Sequence, residues 1–207
     1  MSKITGYKTL NLSDVIGTKA EKRIDEMLSS YSCPLNKDVE EFLKSKAKEF
    51  AKQRIASTYL VVAPYKDDIV LVGYFTLANK IFSIPDKVIG SKSLRRRINK
   101  FAEHNDDTKA FTLSAPLIAQ LGKNYENKYN NLITGDELLK MACDQVKTVQ
   151  IMLSGSLTYV ECEDKQYLID FYTENGFIRI ANRTLNKSEK TTEDNKYLVQ
   201  LIKHISI

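Results

Sequence analysis

Residues 161–177, ECEDKQYLIDFYTENGF, bring together the residue types that chemistry most often uses. Glu161, Glu163 and Asp164 cluster around Cys162, and Tyr167 and Tyr172 follow. A carboxylate metal site and a thiol nucleophile are conceivable, or the stretch makes sense only as the strand and helix it forms. On a strand, Tyr159 and Glu161 face one side while Val160 and Cys162 face the other, so Cys162 is expected in the core. No histidine lies near the three acids, and acids at a strand end commonly cap the next helix, which argues against a metal. Leu168, Phe171 and Tyr172 fall at core spacing on a helix, and an ordinary packed aromatic is the plain alternative for Tyr172.

Composition narrows the choice further. The 207 residues are 43% apolar and 28% charged, ordinary for a soluble globular protein, and one domain is expected over 1–207 with a 1–35 arm of uncertain role. No apolar run approaches the roughly 18 residues of a membrane helix, and no secretory signal is visible, so no membrane association and a cytoplasmic location are expected. Three cysteines without CxxC spacing fit reduced thiols. With only two histidines, catalysis must draw on Tyr, Glu, Asp, backbone or water. The net charge of +5 suggests an acidic partner or cofactor.

Period and capping signals then place the elements. An amphipathic helix is read over 36–57 with Asn36 as cap, two strands over 58–63 and 69–79, and a helix over 91–105. A strand over 109–123 is interrupted by Pro116, which cannot donate to a ladder and so marks an edge or a broken pairing. Thr134 caps the strongest helix, 134–153, and the polar loop before it leads to amides and a helix dipole suited to an anion. A strand to Cys162, a short helix ended by Gly176, a strand over 177–182 and a final strand over 196–203 complete a mixed α/β chain.

In this order the pieces resemble the GNAT superfamily of N-acetyltransferases over about 58–203. LIDFYTENGF resembles that family's F-Y-x-x-x-G-F helix and strand, and ITGDELLKMA resembles the end of its acetyl-CoA loop. The resemblance implies a central mixed sheet splayed between the strands at 111–121 and 157–162, flanked by helices, with acetyl-CoA as co-substrate and no metal. It further implies that Leu117, Ile118, Ala119, Gln120 and Leu121 pair with the pantetheine arm. Asn130, Asn131, Thr134 and Gly135 fall where the family binds pyrophosphate, and Tyr172 where a tyrosine contacts the cofactor and protonates the departing thiolate. An N–H at Ile118 or Ala119 is a candidate oxyanion donor, Glu161 a candidate base acting through water with Glu163 behind it, and Tyr74 a candidate lining of the acceptor cleft. The family loop R/Q-x-x-G-x-G/A is altered: Asn130 takes its first position and Ile133 the middle glycine.

The expected function is therefore transfer of acetyl from acetyl-CoA to a primary amine of a small molecule, a protein or an aminoacyl-tRNA. Two other classes remain beside it: a non-catalytic binding protein on the same fold, and a nucleic-acid binder using Arg95, Arg96, Arg97 and Lys100 on the 91–104 helix. Within the leading reading, nucleic acid is a partner only if the acceptor is a tRNA. Oligomeric state stays open, a homodimer included. Residues 80–105, where the family joins two strands more directly, are a candidate wall of the acceptor site.

Overall fold

A computed structural model describes residues 6–185 and 197–205. Strands β1 (Lys8–Asn11), β2 (Ser57–Tyr65), β3 (Asp68–Pro85), β4 (Glu103–Asn105), β5 (Ala110–Lys123), β6 (Leu157–Cys162), β7 (Ile178–Thr184) and β8 (Tyr197–His204) form a mixed sheet. Their order is β1-β2-β3-β5-β6-β8-β7, with β4 on β5. The helices are α1 (Leu12–Val15), α2 (Glu21–Ser30), α3 (Lys37–Glu41), α4 (Ala47–Lys52), α5 (Lys92–Ile98), α6 (Gly135–Leu153) and α7 (Gln166–Glu174). The chain divides into two compact units, one of residues 1–78 and 118–144, the other of 79–117 and 145–207.

In the first unit β1 and β3 flank β2 in antiparallel register. Helices α3 and α4, joined by a π-helical turn over Phe42–Lys46, fill Lys37–Lys52 of the helix expected over 36–57, which ends early because Ser57 already belongs to β2. Asn36 caps it as expected, its side chain accepting from the Val39 amide at 3.2 Å. Ile24 and Leu28 of α2 and Leu43 and Ala47 of this helix are buried against Leu60, Val62 and Leu71. Strand β1 went unread because KTLN is too short and polar to carry a period-2 signal.

Two glycines let backbone and helices approach closely here. A Cβ on Gly73 would lie 2.9 Å from the Gly122 carbonyl and 3.2 Å from Leu138 Cδ2. A Cβ on Gly122 would lie 2.4 Å from the Tyr31 hydroxyl and 2.5 Å from Val39 Cγ1.

In the second unit β8 lies antiparallel between β6 and β7. Strand β3 runs on through the polar ANKIFSIP segment to Pro85, well past the expected end at residue 79. The 91–105 helix is shorter than expected: Ser91 caps α5 through the Leu94 amide at 3.0 Å, and Glu103–Asn105 pair with β5 instead. Helix α7 ends as read, with Gly176 at φ 81°. The polar loop expected over 187–195 lies outside the described residues.

Gly122→Ala is expected to destabilise the protein by about 1–3 kcal/mol through overpacking against Tyr31 and Val39. Urea unfolding measures it, and an unchanged midpoint would mean that the helical layer yields without cost.

Candidate active site

The loop that ends β5 is positioned by Asn124, 1% exposed, a residue the sequence reading did not single out. Its Nδ2 donates to the Leu71 carbonyl at 2.8 Å, and its Oδ1 accepts from the Ser32 amide and the Glu126 amide, each at 3.1 Å. Its own amide donates to the Val72 carbonyl at 2.8 Å. One side chain thereby ties the loop to β3 and to the turn after α2. An asparagine in a polar loop gives no local sign of this, because every partner but one is remote in sequence.

After Asn124 the chain makes a 3-10 turn over Glu126–Asn131, with Asn127 at φ 47° and Lys128 at φ 62°. Lys123 Nζ donates to the Asn130 carbonyl at 3.2 Å and holds the far side of the turn, while Asn131 is exposed. Ile133 points inward and is 3% exposed, so its side chain is not presented at the loop surface.

Helix α6 opens with a reciprocal capping box. The Glu137 amide donates to Thr134 Oγ1 at 3.1 Å, and Glu137 Oε2 accepts from the Thr134 amide and hydroxyl at 2.9 and 3.0 Å. The Thr134 and Glu137 amides are thus committed within the helix start. Gly135 follows the cap directly.

Strand β5 contains Leu117, Ile118, Ala119, Gln120 and Leu121 in one unbroken element, with Leu117 and Ile118 buried and the next three half-buried. Pro116 gives it no N–H, and the Pro116 carbonyl accepts from the Thr158 hydroxyl of β6 at 2.8 Å. A side chain thus bonds the backbone at the proline.

Tyr74 is fully buried, its ring stands edge-on to Tyr31 at 5.3 Å, and its hydroxyl donates to the Val39 carbonyl at 2.5 Å. Burial pushes its phenol well above the ordinary value. Where a lining of the acceptor cleft was expected, the helix at 37–52 covers this face of β3, and Tyr74 fastens that helix to the strand.

In the second unit, Tyr172 sits on α7, 8% exposed, with its ring edge-on to Phe171 at 5.1 Å and Phe177 at 5.5 Å. The Phe177 amide donates to the Tyr172 carbonyl at 3.0 Å, so the F-Y-x-x-x-G-F spacing brings both aromatics onto Tyr172 across the turn at Gly176. Cys162 is buried, and burial pushes its thiol up to about 12. A group held so firmly protonated is a poor nucleophile.

Glu161 Oε1 accepts from Arg183 Nε at 2.8 Å and from Gln200 Nε2 at 2.9 Å. Its Oε2 accepts from Arg183 Nη2 at 2.8 Å, with Lys80 Nζ at 3.8 Å. The carboxylate uses its acceptor capacity inside this network, at the position where a base acting through water was expected. Tyr159, on the same face, stacks on Phe82 with ring centroids 4.1 Å apart. Glu163 is also buried and pairs with Lys165 at 3.1 Å. The partners of Glu161 were missed because they come from three other strands.

The order of strands, with α6 between β5 and β6 and α7 between β6 and β7, is that of the GNAT-like acyltransferase fold. A structure of AtaT complexed with acetyl-methionyl-tRNAfMet is similar at TM-score 0.64 and 15% identity, over 96% of this chain and 95% of that one. A tyrosine-to-phenylalanine mutant of KacT is similar at TM-score 0.60 and 15% identity, over 95% and 94%. AtaTR bound with AcCoA is similar at TM-score 0.56 and 13% identity, over 96% and 92%. No protein-family model and no curated protein matches the sequence. No helix among the described residues is long and apolar enough to cross a membrane.

Two outcomes follow from these environments. Arg183→Ala leaves a carboxylate side chain only 8% exposed without its main partner, and about 3 kcal/mol of stability is expected to be lost in urea titration. A loss below about 1 kcal/mol would mean that water replaces the guanidinium. Cys162 is expected to resist iodoacetamide at pH 8.5 in the folded protein and to react once guanidinium unfolds it; rapid labelling of the native protein would refute its burial.

Proposed function

We propose that the protein transfers an acetyl group from acetyl-CoA to the α-amine of an aminoacyl-tRNA. The observation that carries this reading is the match of nearly the whole chain to the fold of a protein captured with an acetylated aminoacyl-tRNA. Both acetyl-CoA and a tRNA are polyanions, which agrees with the net charge of +5.

In this proposal the backbone of Leu117, Ile118, Ala119, Gln120 and Leu121 pairs with the pantetheine arm, and an N–H at Ile118 or Ala119 donates to the oxygen that gains charge as the amine attacks. Asn130, Asn131, Thr134 and Gly135 surround the pyrophosphate. The Thr134 and Glu137 amides are occupied by the capping box, so the Gly135 amide and the Lys128 ammonium supply the attraction. The inward turn of Ile133 supports this assignment, because a β-branched side chain at the loop surface would keep the phosphates away. Tyr172 gives its hydroxyl proton to the sulfur as the carbon–sulfur bond breaks, and the amine loses its proton to water. Glu161 holds Arg183 and its strand in place.

Acetyl-CoA at about a hundred times its dissociation constant is expected to raise the melting temperature by several degrees, since such occupancy adds about 2.7 kcal/mol. Tyr172→Phe is expected to keep that rise while lowering kcat for methionyl-tRNA by about 10²-fold or more. No rise at millimolar acetyl-CoA would defeat the reading, and an unchanged kcat would remove Tyr172 as the acid.

A further inference from the structure

Residues 87–102 contain Lys87, Lys92, Arg95, Arg96, Arg97 and Lys100 and no acid. Six cations in a chain of net charge +5 leave the other residues together nearly neutral, so this segment holds the charge asymmetry of the protein. Its placement sorts the cations by task. Ile98 is fully buried and Leu94 half-buried, which fixes the inner face of α5. Arg95 lies 3.5 Å from Asp86 and over the Phe111 ring at 5.3 Å, so it fastens the helix to the neighbouring strands. Asp86 is also gripped by His104 Nε2 at 3.1 Å, and its amide donates to the Lys109 carbonyl at 2.9 Å. Burial, and after it the Arg97 charge, pushes the His204 imidazole down.

Lys92, Arg96 and Lys100 remain, at i, i+4 and i+8, and all three are exposed. Beyond Ile98 the chain passes into a tighter turn, with the Lys100 amide donating to the Arg97 carbonyl and the Phe101 amide to the Ile98 carbonyl. Lys92 and Arg96 therefore lie on one stripe of α5, about 6 Å apart along the axis and opposite the buried face of Leu94 and Ile98, and Lys100 extends the run in the turn that follows. Like charges at this spacing destabilise a helix, and no acid is interspersed to relieve them. Lys87, at the start of the run, lines an open groove of about 520 Å³ together with Arg179.

We propose that the Lys92, Arg96 and Lys100 stripe docks the phosphate backbone of the tRNA body. This rests on the aminoacyl-tRNA reading above. Phosphate contacts of this kind position an RNA without reading its sequence, and they act additively with salt-dependent strength. Nothing about the stripe requires the acetyl-transfer residues, so docking and transfer are separable by measurement.

The test compares wild type with the Lys92→Gln, Arg96→Gln, Lys100→Gln triple variant, using deacylated bulk tRNA between 50 and 250 mM KCl. The variant is expected to bind about tenfold or more weakly at low salt, with the slope of log K against log salt reduced by about 2, as three lost phosphate contacts require. Acetylation of methionine amide should be unchanged, while kcat/KM for methionyl-tRNA falls by about the loss in binding. Equal affinity and slope would overturn the proposal, as would a matching loss with methionine amide, or binding of poly-glutamate as tight as that of tRNA. Arg96→Gln alone, expected to remove about a third of the slope change, serves if the triple variant fails to fold. Wild type that binds tRNA yet acetylates no amine would refute the transferase and leave docking standing; the reverse result would refute docking alone.

Discussion

The second unit is organised around one carboxylate. Glu161 belongs to β6, and its partners Lys80, Arg183 and Gln200 belong to β3, β7 and β8, so four strands meet on a single side chain. A carboxylate this enclosed is tolerated only when its lone pairs are satisfied, and each satisfied lone pair here fixes a strand. Gln200 lies directly opposite Glu161 in the ladder, so that contact follows from register. Arg183 does not follow so simply. Between Arg179 and Ala181 the pairing with β8 shifts by one residue, which sets Arg183 opposite Leu198 and therefore on the face shared by Gln200 and Glu161. Without that bulge Arg183 would oppose Tyr197 and point to the other face. The bulge and the ion pair are one feature.

The first unit solves a different problem, that of pressing helices onto strands. Gly73 leaves room for Leu138 of α6, and Gly122 leaves room for Tyr31 and Val39 of the N-terminal helices. Tyr74 then donates to the Val39 carbonyl and locks the helix that the missing Cβ admits. The N-terminal segment is thereby part of the core, with Leu12, Ile24, Leu28 and Tyr31 all buried in it.

What was legible in the sequence was local. Asn36 and Thr134 announce their helices through contacts three residues away, and the F-Y-x-x-x-G-F spacing carries Phe171, Tyr172 and Phe177 into one aromatic cluster. Cys162 is buried as expected, but alternation alone does not explain it, since Leu157 and Tyr159 on the other face of β6 are buried as well. What was not legible was pairing at a distance. Glu161 became a candidate base through the family resemblance, while its partners lie on other strands, the nearest in sequence 22 residues away. Tyr74 looked like a cleft residue because the layer that covers it comes from residues 31–52, whose destination no periodicity reveals. The same limit hid the length of β3, since ANKIFSIP has too many polar residues to read as strand and is held by cross-strand contacts such as Ser114 to Asn79 at 3.0 Å.

The loop before α6 shows how a motif can be absent in letters and its backbone freedom still be supplied. Glycines in such a loop have two uses: they permit left-handed backbone and they leave no side chain in the way. Here Asn127 and Lys128 adopt the left-handed conformation, which asparagine tolerates better than most residues, and the bend is made outside the position that the motif would dictate. The second use is met by direction instead of by size, because Ile133 turns into the core. Asn124 anchors the root of this loop. By fixing the loop's first residue to β3 and to Ser32 with three hydrogen bonds, and accepting a fourth from the Glu126 amide, it sets the path along which the following residues must turn. The loop's shape thus depends on a buried amide at its root more than on small residues along its length.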